Sequence, residues 1–332
     1  LPACNMVLKD GHSGTLSSNA SSSSPDRDQV SAASLLERIR VLSSDEFEGR
    51  GPATLGEEKT VAYVTKEFQA LGLEPGNPDG TYIQKVPLVG LKATPSGSIT
   101  TGTAGDKTIT FTFHKDAVAL TRRFVPSVDV EDSEVVFVGY GIVAPEYGWD
   151  DYKGVDVRGK TIVMLVNDPP VPDPKDPTKL DDTVFKGRAM TYYGRWTYKY
   201  EIAAEKGAAA SLIVHQDGPA GYPWSVVEKS WSREIFDIDT PDGNKGRAAV
   251  EGWITLDKAK ELCSACGKDF SALETSARSR DFTPISLGAR ARFHVATEVR
   301  RVESRNVVAK LAGSDPKLRD ECVIYSAHWD HL

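Results

Sequence analysis

Two imidazoles and a carboxylate stand together at His328, Asp330 and His331, directly after the apolar run Val323-Ile324-Tyr325. Near neutral pH an uncharged imidazole offers a nitrogen lone pair and an aspartate offers hard anionic oxygens. That donor mix suits a borderline divalent metal such as zinc. Val323 to Tyr325 reads as a short buried strand. Residues just past the carboxyl end of a strand in an α/β sheet line the crevice where ligands bind. His328 is therefore a candidate metal ligand, with Asp330 fixing its ring from behind. The same H-x-D spacing recurs at His215 and Asp217, after Leu212-Ile213-Val214, so spacing does not choose between the two. Cys263 and Cys266 form one C-x-x-C, without a second pair to complete a four-thiolate zinc site. On the helical pattern from Leu256 to Cys266 they read as small apolar residues, with a strained disulfide or redox pair as the alternative. Cys322 is expected to face the core.

The elements that must position these groups show alternating texture. Ser31 to Leu42 and Thr54 to Leu71 read as helices. The second carries a capping box, Thr54 with Glu57, and a Gly72-Leu73 stop. Short strands are expected over Tyr82–Leu91, Gly97–Thr103, Lys107–Phe113 and Ala117–Leu120. Buried strands follow at Val135–Val138, Lys160–Val166, Ala210–Val214 and Ala248–Ile254, with a helix around Trp196, Tyr200 and Ala203. Asp168 to Pro177 holds five prolines, so it must be loop. The aromatic stretch Met190–Lys199 is read as packing. Leu287 to Val302 alternates as a strand, with His294 on its polar side; Asn306–Leu311 and Val323–Tyr325 are the next two strands. The fold class is α/β.

Size and charge set limits on function. The chain has 332 residues, 40% of them hydrophobic, and six Trp, enough for two domains with real cores. The formal charge of −7 argues against nucleic acid or an anionic membrane as partner. No apolar run approaches the roughly 18 residues of a membrane-spanning helix. Residues 1–28 are poor in bulky apolar groups and rich in serine, the composition of a flexible leader. Leu1-Pro2-Ala3-Cys4 is similar to the end of a bacterial lipoprotein signal. That likeness makes Cys4 a candidate lipid anchor and points to an exported protein, periplasmic, cell-surface or extracellular.

The segment Val323–Leu332, "VIYSAHWDHL", resembles the first ligand segment of the M28 family of zinc peptidases, the di-zinc aminopeptidases, and the resemblance runs from about Val30 onward. It implies that His328 is a zinc ligand and that Asp330 serves the catalytic centre by orienting it. Phe47-Glu48-Gly49-Arg50-Gly51 resembles the family's "EGR-G" turn, which implies that Arg50 lies near the catalytic face. "GKTIVMLVND" and "EKGAAASLIVHQD" resemble a protease-associated (PA) domain, which implies that His215 is a structural turn residue. The implied organisation is a leader at 1–28, peptidase helices and a β connection at 29–130, a PA domain at 131–280, and the start of the peptidase domain at 281–332. The family's other ligands, a bridging Asp, a Glu beside a catalytic Glu, a further acidic residue and a distant His, would lie beyond Leu332. The implied activity is zinc-dependent hydrolysis of peptides at their free N-termini, with two zinc ions in the complete enzyme. A carboxypeptidase-like member, a non-catalytic receptor module and a single-zinc glutaminyl cyclase of the same fold are the alternatives.

Overall fold

The computed structural model describes residues 31–102 and 107–330. Cys4, the serine-rich leader and His331 lie outside the described residues.

Two helices open the chain, α1 (Ala32–Leu42) and α2 (Leu55–Ala70), joined by a tight turn at Asp45–Arg50. The caps follow the sequence signals. Ser31 accepts from Ser34 N, and Thr54 accepts from Glu57 N. Glu57 reaches back past the cap and accepts from Ala53 N. Gly72, at φ 71°, closes α2 in the left-handed region that favours glycine. The strands are β1 (Glu74–Pro75), β2 (Ile83–Thr101), β3 (Thr108–Thr110), β4 (Ala117–Leu120), β5 (Ser127–Phe137), β6 (Val143–Ala144), β7 (Trp149–Asp150) and β8 (Thr161–Leu165). Then come α3 (Trp196–Glu205), β9 (Ala210–His215), the short α4 (Asp217–Ala220), α5 (Trp224–Trp231), β10 (Ile235–Ile238) and β11 (Val250–Thr255). The series ends with α6 (Leu256–Ala265), α7 (Phe270–Ser276), β12 (Ile285–Val307) and β13 (Ala309–Lys310).

Nine of these strands form one mixed sheet in the order β10-β2-β12-β5-β8-β9-β11-β4, with β3 also on β2. β5, β8, β9 and β11 run parallel. β8 and β9 are buried along their whole length, as expected where both faces of a parallel sheet are covered; the antiparallel β4 is buried throughout as well. β2 and β12 make a long antiparallel ribbon, from Ala289↔Thr101 to Val307↔Ile83. The fold is thus α/β. No described helix is long and apolar enough to cross a membrane.

Several local expectations change. The two strands read at Tyr82–Leu91 and Gly97–Thr103 are one strand. The intervening Pro95 pairs with Val295; it lies between the stretches of β2 that β10 and β3 cover, an edge where a missing N–H is tolerated. Val323–Tyr325 is not a strand and is not buried: the three side chains are 82%, 79% and 94% exposed. No described strand lies alongside to complete a ladder, so its apolar pattern is unused. Cys322 is likewise exposed rather than facing the core. His215 is no turn residue. It is the last residue of β9 and is buried.

Candidate functional site

The H-W-D segment is held to the body of the protein through its middle residue. Trp329 Nε1 donates to the carbonyl of Arg305, 2.9 Å away at the end of β12. Arg50 Nε donates to the carbonyl of Trp329, also at 2.9 Å. A second nitrogen of the Arg50 guanidinium donates to the Leu42 carbonyl at the end of α1. Arg50 can do this because its turn folds back tightly: Glu48, Gly49 and Arg50 all have positive φ. Phe47 is buried in the same turn and meets Tyr63 of α2 edge-on. Gly56 lets the turn sit on the helix. A Cβ there would lie 2.2 Å from the Phe47 carbonyl oxygen.

His328 and Asp330 flank this anchored tryptophan. His328 Nδ1 is 2.8 Å from the Asp330 carbonyl oxygen and 3.3 Å from its Oδ1. A carbonyl only accepts, so Nδ1 carries a proton, and in the neutral ring Nε2 then holds the lone pair. The His328 side chain is 81% exposed. This is the tautomer a zinc ligand needs, with the orienting oxygen on the other nitrogen. The donor set is incomplete: among the described residues no three His, Cys, Asp or Glu side chains are grouped to hold a metal. The described residues thus offer one candidate ligand, His328, and no complete metal site.

The second H-x-D is built differently. His215 Nε2 meets Asp217 Oδ1 at 3.0 Å, but the ring is enclosed by Tyr222, Trp224 and Trp253. The buried His215 and the exposed His328 thus separate the two motifs. His294 is exposed and meets Asp129 at 2.7 Å. The cysteines of the C-x-x-C are both free, and burial pushes the Cys263 thiol up to about 12. A thiol held protonated is a poor nucleophile and a poor ligand.

Two groups that could do chemistry were not legible in the pattern. Lys199 is fully buried, and burial pulls it down to about 7 against the opposing pull of Asp168 and Asp151. Its Nζ donates to the carbonyls of Tyr140 (2.6 Å) and Asn167 (3.0 Å). It therefore ties together the turns after β5 and β8 and reaches no surface. Glu57 shows as a cap in the sequence, but it also lines a cavity of about 330 Å³ with Ala53, Thr54, Leu55, Glu303 and Arg305. Arg305 is the residue whose carbonyl anchors Trp329, so cavity and H-W-D segment share a wall.

No protein-family model matches this chain, and no curated protein matches it.

Proposed function

We propose that this chain belongs to a zinc-dependent exopeptidase of the M28 aminopeptidase type, with His328 as one zinc ligand and Asp330 orienting it. One observation carries the reading. Arg50 and Trp329 are far apart in sequence, and each lies in a segment that resembles a signature of that family. A hydrogen bond joins them. In this reading His328 presents Nε2 outward, and the main chain and carboxylate of Asp330 hold its Nδ1–H. Arg50 fixes the backbone between the two. Zinc held there would lower the pKa of a bound water and polarise a scissile carbonyl. Residues 131–280 would act as a PA-type module beside the site. The protein would be exported, with Cys4 as a lipid anchor and peptides as substrates.

The test is hydrolysis of leucine p-nitroanilide by the full gene product that contains this sequence. Activity should disappear with a chelator and return with zinc. His328→Ala should abolish it, and Asp330→Asn should lower it by about 10–100-fold, while His294→Ala leaves it unchanged. Hydrolysis that survives both chelation and loss of His328 would refute the proposal. Peptide binding without turnover would favour a receptor module, and a pyroglutamyl product would favour a cyclase.

A further inference from the structure

We infer that Cys263 and Cys266 are a modification site: the pair closes to a structural disulfide when the chain folds in contact with a disulfide oxidant such as oxidised glutathione. Cys263 lies in the last turn of α6 and Cys266 caps it. Residues three apart on a helix share a face. The helical rise and radius put their Cα atoms roughly 5 Å apart, inside the roughly 4.4–6.8 Å that a disulfide spans. The turn is held independently of the sulfurs. Lys268 N donates to the Cys263 carbonyl at 2.8 Å, and Gly267 N to that of Ser264 at 3.0 Å. Gly267 takes φ 67°, so this is the bonded stop that a left-handed glycine gives a helix. The bridge therefore closes over a turn already in place, and no strand or helix has to move.

The end of the helix at which the pair sits decides its chemistry. A catalytic C-x-x-C needs a low thiol pKa, which a helix N-terminus or a nearby cation supplies. Cys263 and Cys266 stand at a C-terminus, where the helix dipole opposes a thiolate. Burial pushes both thiols up, Cys263 to about 12, with the neighbouring Cys266 thiol adding to the push. A thiol that keeps its proton attacks slowly and also leaves its disulfide slowly. The bridge is thus made while the chain is unfolded and its thiols are ordinary, and it is kept once Cys263 is buried at 4% exposure. In the first step a Cys266 thiolate attacks glutathione disulfide, forms a mixed disulfide and releases one glutathione thiolate. The Cys263 thiol then gives its proton to solvent, and its thiolate attacks the Cys266 sulfur and expels the second glutathione. Two protein thiols are oxidised, and one glutathione disulfide is reduced to two thiols. Closed, the bridge fixes the last turn of α6 and with it the corner to α7, whose cap is Asp269.

The test uses the whole chain, refolded from urea in a mixture of oxidised and reduced glutathione, quenched with iodoacetamide and digested with trypsin. Cleavage after Lys260 and Lys268 releases one peptide, Glu261–Lys268, that carries both cysteines. It should appear about 2 Da lighter than the unmodified dithiol peptide, with neither a glutathione adduct nor an alkylated thiol. A Cys4→Ser/Cys322→Ser variant removes the other two thiols, and Cys322 is exposed, so its loss spares the core. In that variant the ratio of reduced to oxidised dithiothreitol at half-reduction should be at least about tenfold higher for the folded chain than for the chain in urea. A glutathione adduct on either cysteine, two alkylated thiols after refolding, or a bridge that the folded chain gives up as readily as the unfolded one would overturn the inference. None of these readouts involves zinc or hydrolysis, so failure here leaves the peptidase proposal standing, and loss of that proposal leaves the disulfide standing.

Discussion

A buried amine is a thermodynamic reporter. Lys199 is charged in the unfolded chain up to about pH 10.5, but burial lowers it to about 7 in the folded protein. Between those values the unfolded state binds a proton that the native state does not. The contribution of Lys199 is therefore present at high pH and lost as pH falls toward 7. Its slope approaches ~1.4 kcal/mol per pH unit inside the window. Lys199→Met removes the titration and leaves the carbonyls of Tyr140 and Asn167 without their donor. The stability of wild type relative to the variant should rise with pH between about 7 and 9, by up to about 1 kcal/mol per unit. Urea unfolding of both proteins across that range reads the difference, in which Asp168 and Asp151, the carboxylates that face Lys199, take part as well. A wild type that gains nothing on the variant, or loses to it, as pH rises would mean that Lys199 keeps its proton in the folded state. Sequence pattern gave no hint of this residue. A lysine on a helix is normally a solvated one, and only the folding of two strand ends over it makes it a buried staple.

Close contact between turn and helix decides whether Arg50 reaches Trp329. The Gly56→Ala variant places a methyl 2.2 Å from the Phe47 carbonyl oxygen and 3.2 Å from Arg50 Cα. Backbone, not a flexible side chain, must yield. The expected cost is about 1–3 kcal/mol, with the turn pushed off α2 and the Arg50–Trp329 bond strained. Thermal unfolding and tryptophan fluorescence would show both effects; an unchanged spectrum with unchanged stability would contradict this account of the turn. The helices themselves were legible because their signals are local: Thr54 caps where its side chain predicts, and Ser31, read as the first helical residue, is the cap of α1. The segment Val323–Tyr325 was misread for the opposite reason. Apolar alternation states what a segment could bury, whereas a strand exists only beside a partner. Likewise Glu57 was legible as a cap, but not as the floor of a cavity, because Glu303 and Arg305 arrive from the far end of β12.

At the scale of the whole molecule, the question is where cooperativity ends. Composition and resemblance place boundaries near residues 131 and 280, and the texture does change there. The hydrogen bonding crosses both lines. β4 lies before the first boundary yet pairs with β11 inside it. β12 lies after the second yet pairs with β5 along Ile285–Ala296. Long-range pairing of this kind cannot be read from periodicity, which has no memory beyond one element. A polypeptide of residues 131–280 alone would expose both flanks of its parallel strands: β11 would lose β4 and β5 would lose β12. Exposed edges of buried, apolar strands aggregate rather than solvate. Residues 131–280 should therefore be insoluble or unfolded, whereas residues 81–310, which keep β2, β4 and β12, should unfold in one cooperative transition. Circular dichroism melts of the two polypeptides decide it. A sharp, reversible melt from residues 131–280 would show that the module is autonomous and that the flanking strands only decorate it; its absence makes the strands on both sides part of one folding unit, and any movement of the 131–280 region relative to the H-W-D segment must then bend the shared sheet rather than swing on a linker.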